Sequence, residues 1–144
     1  MAPGDVRVWR EALRLGLVKA DRFEYDVRLG GAGADLVERE HPHLRMWETL
    51  LKKRVDVVAW SGSHATIIEV KPVASFSALG QAVGYRFLWG RERAGRGGFR
   101  VAVVCAIVDP DLAPVFRLQQ VDLVVLPADL VDQVLTRSRG AVQG

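Results

Sequence analysis

The chain has 144 residues, 49% of them hydrophobic, which is enough for one domain, residues 1–144, with a buried core. A net charge of +3 permits a nucleic-acid partner, and no apolar run approaches the ~20 residues of a membrane span nor does a secretory leader open the chain. The single cysteine, Cys105, excludes an internal disulfide and a Cys-rich zinc site, so a cytoplasmic protein without membrane association is expected.

Val6, Trp9, Leu13 and Leu17 recur at 3-4-4 spacing, which predicts an amphipathic helix from about Asp5 to Lys19, with Asp5 as its N-cap. Phe23, Tyr25, Val27 and Leu29 then alternate with charged residues, the pattern of a half-buried strand, and Gly30-Gly-Ala-Gly33 ends it. From Ala34 to Lys53 no period stands out; Leu44 to Leu51 fits either a short helix or an irregular approach to the next strand. His41-Pro-His43, beside Glu38 and Glu40, puts two imidazoles in a loop, and short pairs of this kind usually ligate nothing.

The most informative stretch follows. Arg54 to Trp60 and Ala65 to Lys71 are both rich in Val, Ile and Trp, and Gly62-Ser63 between them suits a two-residue hairpin turn with glycine first. His64 then lies at the turn as an exposed residue. With Gly62 and Ser63 as the turn, paired residue numbers sum to ~125 and Asp56 stands opposite Glu69. Like charges directly opposite on antiparallel strands repel across ~5 Å, an arrangement that folding alone would avoid. A divalent cation between the carboxylates reverses the sign, and hard oxygen ligands suit Mg²⁺ or Mn²⁺. Lys71, two residues beyond Glu69, shares its strand face. Two carboxylates with an adjacent ammonium form a set that can activate water against a phosphodiester.

Pro72 is expected to break this strand, and Ser75 or Ser77 to cap a helix running to about Arg91. Gln81 and Tyr85 stack on one face of that helix. Gly80 and Gly84 each cost it ~1 kcal/mol relative to Ala, for which close packing against the sheet is the expected compensation. The remainder reads as a strand at about Phe99–Val108, a helix at about Leu112–Gln120, a strand at Val121–Leu126 and a helix at Ala128–Arg137. Apolar residues on both faces of the Phe99–Val108 segment suit a parallel strand covered by helices, with Cys105 as a small buried hydrophobe. The order α-β-β-β-α-β, then α-β-α, predicts an α/β fold with a mixed central sheet flanked by helices.

Asp56 followed after thirteen residues by Glu69-Val70-Lys71 resembles the PD-(D/E)xK, or restriction-endonuclease-like, nuclease superfamily, and Gln81-Ala-Val-Gly-Tyr85 resembles the Gln-x-x-x-Tyr motif of its RecB-type branch. Val55 stands where the family name has proline. The resemblance covers nearly the whole chain in element order. It implies a restriction-endonuclease-like core, a metal held by Asp56, Glu69 and the Val70 carbonyl, water positioning by Lys71, and Gln81 and Tyr85 directed toward the active site or substrate phosphate. A third acid often comes from the first helix in such nucleases; Glu11 is the obvious candidate there, and Glu24 on the first strand is comparable.

Basic residues supply candidate phosphate contacts: Lys52, Lys53 and Arg54 before the acidic strand, and Arg86, Arg91, Arg93 and Arg96 along and after the helix carrying Gln81. The expected function is a Mg²⁺- or Mn²⁺-dependent deoxyribonuclease, structure-directed, end-directed or non-specific, of phage or mobile-element type. Homo-oligomerisation and membership of a larger DNA-processing complex stay open. The alternative is a nuclease-fold DNA-binding or scaffold protein without turnover.

Overall fold

The computed structural model describes residues 1–31, 39–40, 53–93 and 97–140, with side chains as far as residue 135. His41, His43, Glu38, the stretch 44–51, Lys52 and Arg96 lie outside the described residues. Helix α1 (Pro3–Arg14) leads into strands β1 (Arg22–Leu29), β2 (Lys53–Ser61) and β3 (His64–Ala74). Helix α2 (Phe76–Arg93), strand β4 (Phe99–Val108), helix α3 (Ala113–Leu118), strand β5 (Val121–Val125) and helix α4 (Ala128–Gly140) follow. The strands form one five-stranded sheet in sequence order. β1–β2 and β2–β3 are antiparallel, β3–β4 and β4–β5 parallel. This is the expected α/β arrangement with a mixed sheet. Among the described residues no helix is long and apolar enough to cross a membrane.

Helices cover both faces. On one, Ala78, Leu79, Ala82, Tyr85 and Trp89 of α2 and Phe116 of α3 pack against Val58, Ile67, Val101, Val103 and Cys105. On the other, Val8, Trp9 and Ala12 of α1 and Val134 of α4 pack against Val57, Ala59, Ile68, Val70, Val104 and Ala106. Fully burying each Val, Ile or Leu contributes about 1.5–3 kcal/mol, so the double-sided apolar strands β3 and β4 anchor the sheet. Burial pushes the Cys105 thiol up to about 12, so it is a packing residue and no nucleophile.

Three expectations are corrected. Helix α1 starts at Pro3, two residues early, with Ala2 as N-cap; Asp5 sits inside the first turn and its Oδ2 accepts the Ala2 N–H at 3.1 Å. Its buried stripe is Asp5, Val8, Trp9 and Ala12, so Leu13 falls off that face and is exposed, and exposed Leu17 lies beyond the helix, which the chain leaves at Gly16 in the left-handed conformation, φ +67. Pro72 does not end β3. The β2–β3 ladder stops at Val57↔Ile68, so on that side proline has no ladder bond to lose. His64 is a half-buried strand residue paired with Ser61 and packed on Gly98.

The hairpin turns as expected: Gly62 takes φ +60 and Ser63 does not follow it, a II′ pattern, and Ser61 pairs with His64. The register then runs unbroken to Val57↔Ile68. At the next residue β2 changes phase. Val57 and Ala59 face α1, yet Val55 and Val58, three apart, both face α2. Strand β1 changes phase at the same level, where Asp26 adopts φ +53 between the pairs Tyr25↔Val57 and Val27↔Val55. The two strands kink together, and β3 runs on without them.

Candidate functional site

The site lies where β2 and β3 part. In a regular ladder from this turn, the Val70 N–H would donate to a β2 backbone carbonyl. The kink at Asp56 replaces that carbonyl with a side chain: Oδ2 of Asp56 accepts the Val70 N–H at 2.9 Å. Asp56 and Glu69 are therefore neighbours, as the register argument requires, but joined by this bond and not as a regular cross-strand pair. Glu69 points to the α2 side and is only 3% exposed. Burial of a carboxylate disfavours its charged form. That burial, with the charge of Asp56 next in effect, pushes Glu69 up to about 8, against the opposing pull of Lys71 and of a hydrogen bond with Tyr85. Asp56 is raised as well, by burial first; the Val70 N–H works against this and the charge of Asp5 adds to it.

The partners of Glu69 come from two elements. Lys71 Nζ lies 3.6 Å from Glu69 Oε1, an ion-pair separation longer than a hydrogen bond. From α2, Gln81 with its amide nitrogen turned to Glu69 donates to both carboxyl oxygens, 3.2 Å to Oε2. Tyr85, one helical turn on, donates its hydroxyl to the Arg54 carbonyl at 3.0 Å and also lies within reach of Glu69. One phenol proton cannot serve both acceptors at once. A protonated Glu69 can instead donate to the phenol oxygen. Burial and the two neighbouring acids raise the Tyr85 pKa, so it stays a neutral phenol.

The structure brings Asp56, Glu69, Lys71, Gln81 and Tyr85 together. Asp5, whose place in the sequence pointed to helix capping alone, acts on the two acids through its charge without joining them in a three-acid group. Asp5 is 6% exposed and its charge raises both Asp56 and Glu69. Glu11 and Glu24 are elsewhere: Glu11 pairs with Arg14 at 2.7 Å, and Glu24 pairs with Arg22 and accepts the Trp60 indole N–H at 3.0 Å. The signal for Asp5 was available in Pro3, which suits the first helical position and rotates the helix so that Asp5, Val8 and Ala12 share its inner face.

Among the described residues no three His, Cys, Asp or Glu side chains are grouped to hold a metal ion. A buried and a half-buried acid, both with raised pKa values, nevertheless form a site whose negative charge a cation relieves. Mg²⁺ commonly takes only one or two carboxylates and keeps waters on its remaining positions, so the donor set of Asp56, Glu69 and the Val70 carbonyl fits it.

Gln81 and Tyr85 also line a groove of about 570 Å³, together with Gly80, Gly84, Phe87 and Leu88 of α2 and Lys53 and Arg54 of β2. The glycines do not pack against the sheet as expected; among the described residues a Cβ at either would meet nothing within 4 Å. Their space belongs to the groove. The basic residues divide. Lys53 and Arg54 line the groove, and Arg91 lies over the Phe87 ring at 5.5 Å. Arg93 stacks on Trp89 at 4.6 Å, beside Trp60 and away from the acids. Arg86 donates to the Gln120 carbonyl at 2.6 Å and ties α2 to the turn before β5.

No family model matches the chain, and neither the curated proteins nor the solved structures return a match.

Proposed function

We propose that this chain is a divalent-metal-dependent nuclease acting on DNA, with a restriction-endonuclease-like core. The observation that carries the reading is the pairing of half-buried Asp56 with buried Glu69, with Lys71 at its edge. Placing half-buried Asp56 against buried Glu69 at a strand divergence, with the charge of Asp5 acting on both, opposes folding, and a cation gives the arrangement a use. Asp56, Glu69 and the Val70 carbonyl would hold Mg²⁺ or Mn²⁺, which when bound lowers the pKa of a water and offsets charge developing on the phosphoryl oxygens.

The chain's own groups do the rest. Gln81 fixes the Glu69 carboxyl through two donated hydrogen bonds, so the ligand is preorganised. Tyr85, through the Arg54 carbonyl, holds the kinked start of β2 against α2. Lys71 is half-buried, and its ammonium orients the attacking water and faces the charge that builds as the phosphorus–oxygen bond to the leaving group breaks. Glu69 must release its proton before it can serve as a ligand.

The second reading, a DNA-binding or scaffold protein without turnover, draws on one observation: both acids already have internal partners, Val70 N–H and the Gln81 amide. Incubating supercoiled and linear DNA with the protein in Mg²⁺ or Mn²⁺, with EDTA and Glu69→Gln as controls, decides between them. Cleavage that needs metal and Glu69 supports the nuclease; salt-sensitive binding with no cleavage in either metal supports the scaffold.

A further inference from the structure

Gly80 and Gly84 stand in the interior of α2 with ordinary helical backbone, where glycine brings neither a positive φ nor a close contact. The third glycine of α2, Gly90, differs: a Cβ there would meet the Phe99 ring at 3.5 Å. At 80 and 84 the helix gives up stability and receives space that no described residue fills. That space forms a strip free of side chains, and aromatic rings bracket it on the same helical stripe. Phe76, four residues before Gly80, is 75% exposed, and Phe87, three after Gly84, is 66% exposed. Eleven residues of helix separate the rings by roughly 16 Å. Lys53 and Arg54 line the groove beside the strip, and the Arg91 guanidinium lies over one face of the Phe87 ring at 5.5 Å.

We propose that this strip is the track for an unpaired strand of nucleic acid, its bases lying flat over Gly80 and Gly84 and stacking on Phe87 and Phe76. Three features select that occupant. A side-chain-free floor between aromatic rings receives planar groups. Cations along one flank match a phosphate backbone, which an apolar partner helix would not need. A duplex keeps its base faces stacked on one another, so only a single strand, a frayed end or a flipped base can present them. Gln81 and Tyr85 line the groove and also contact Glu69, so they connect the strip to the acids. The inference deepens the nuclease reading, on which it rests for the polarity of that path, by naming single-stranded substrate.

The test is binding by the full chain, in Ca²⁺ without turnover, of a fluorescent oligothymidylate and of a closed hairpin duplex of equal charge. Gly84→Leu fills the strip and Phe87→Ala removes a platform. Each should weaken oligothymidylate binding by about fivefold to a hundredfold, the range of one base–aromatic stack, and leave duplex binding within about twofold. Gly84→Leu should also melt no lower than wild type, since leucine is the better helix former, and Phe87→Ala serves if it does not fold. Equal losses on both DNA forms, or no loss on either, overturn the proposal. Cleavage by the wild type together with unaffected variants overturns the strip alone; selective oligothymidylate binding through the strip without cleavage in Mg²⁺ or Mn²⁺ overturns the nuclease alone.

Discussion

Asp56 accepts the backbone N–H of Val70 through Oδ2 at 2.9 Å, so the carboxylate of one strand completes the ladder of the next at the residue beside Glu69. One side chain thus closes a gap in the sheet and fixes the distance between two acids. A structural and a chemical role in one residue separate under substitution, because Asn retains the acceptor and loses the charge whereas Ala loses both.

Asp56→Asn should fold with at least wild-type stability, since a side-chain carbonyl still meets Val70 N–H and the charge that raises Glu69 is gone. It should not cleave DNA. Asp56→Ala should lose about 1–3 kcal/mol, the cost of an unpaired buried donor. Urea unfolding of the two variants beside a cleavage assay checks both statements, and equal stability of Asn and Ala would remove the ladder role.

Glu69 makes metal-free stability depend on pH in the direction opposite to a salt-bridged acid. Its folded pKa, about 8, lies above the usual 4.5, so the folded state binds the extra proton between these values. The stabilisation is complete below pH ~4.5 and is lost as pH rises through ~8. Melting temperature in EDTA should fall from pH 5 to 8.5, and Glu69→Gln should flatten that fall. Metal affinity runs the other way, rising with pH until Glu69 has lost its proton. A metal affinity independent of pH between 6 and 8.5 would rule out Glu69 as a ligand.

Lys71→Ala should lower the cleavage rate by roughly 10²–10³-fold, the usual effect of removing one group that stabilises developing charge. Folding should survive, since the ammonium is one-third exposed and makes only a 3.6 Å ion pair. Removing that cation should raise Glu69 further, moving the pH at which metal binds upward. Wild-type cleavage by this variant would make Lys71 a surface charge.

Much of this site was legible in the sequence because its residues are close in the chain. Gly62-Ser63 set the register, the register placed Asp56 beside Glu69, and a four-residue spacing put Gln81 and Tyr85 on one helix face. What was missed depends on phase. A stripe built on the large residues Trp9, Leu13 and Leu17 turned α1 away from Val8 and Ala12, whose small side chains are fully buried, and with them from Asp5. The kink could not be read either: alternation through Val55, Val57 and Ala59 looks regular, and Asp26 carries only a weak tendency toward positive φ. Gly80 and Gly84 read as packing residues because a sequence does not show on which side a helix is open.

The arginines allow a prediction that separates phosphate-binding side chains from structural ones. Arg54 flanks the groove and is exposed, whereas the Arg86 guanidinium is held by the Gln120 carbonyl at 2.6 Å. Removing one cation that meets a phosphate should reduce the log–log salt slope of binding by ~0.7 on single strands, or ~0.9 on duplex DNA. Arg54→Gln should therefore bind an oligonucleotide more weakly at low salt and with a shallower slope, while its backbone carbonyl continues to accept from Tyr85. Arg86→Gln should keep the slope and lose stability instead, by about 0.5–1.5 kcal/mol for one hydrogen bond. Affinities at four or more salt concentrations in Ca²⁺, with melting temperatures of both variants, make the comparison. A slope that changes with Arg86 and not with Arg54 would move the DNA path to the β5 side of α2, away from the groove and the acids.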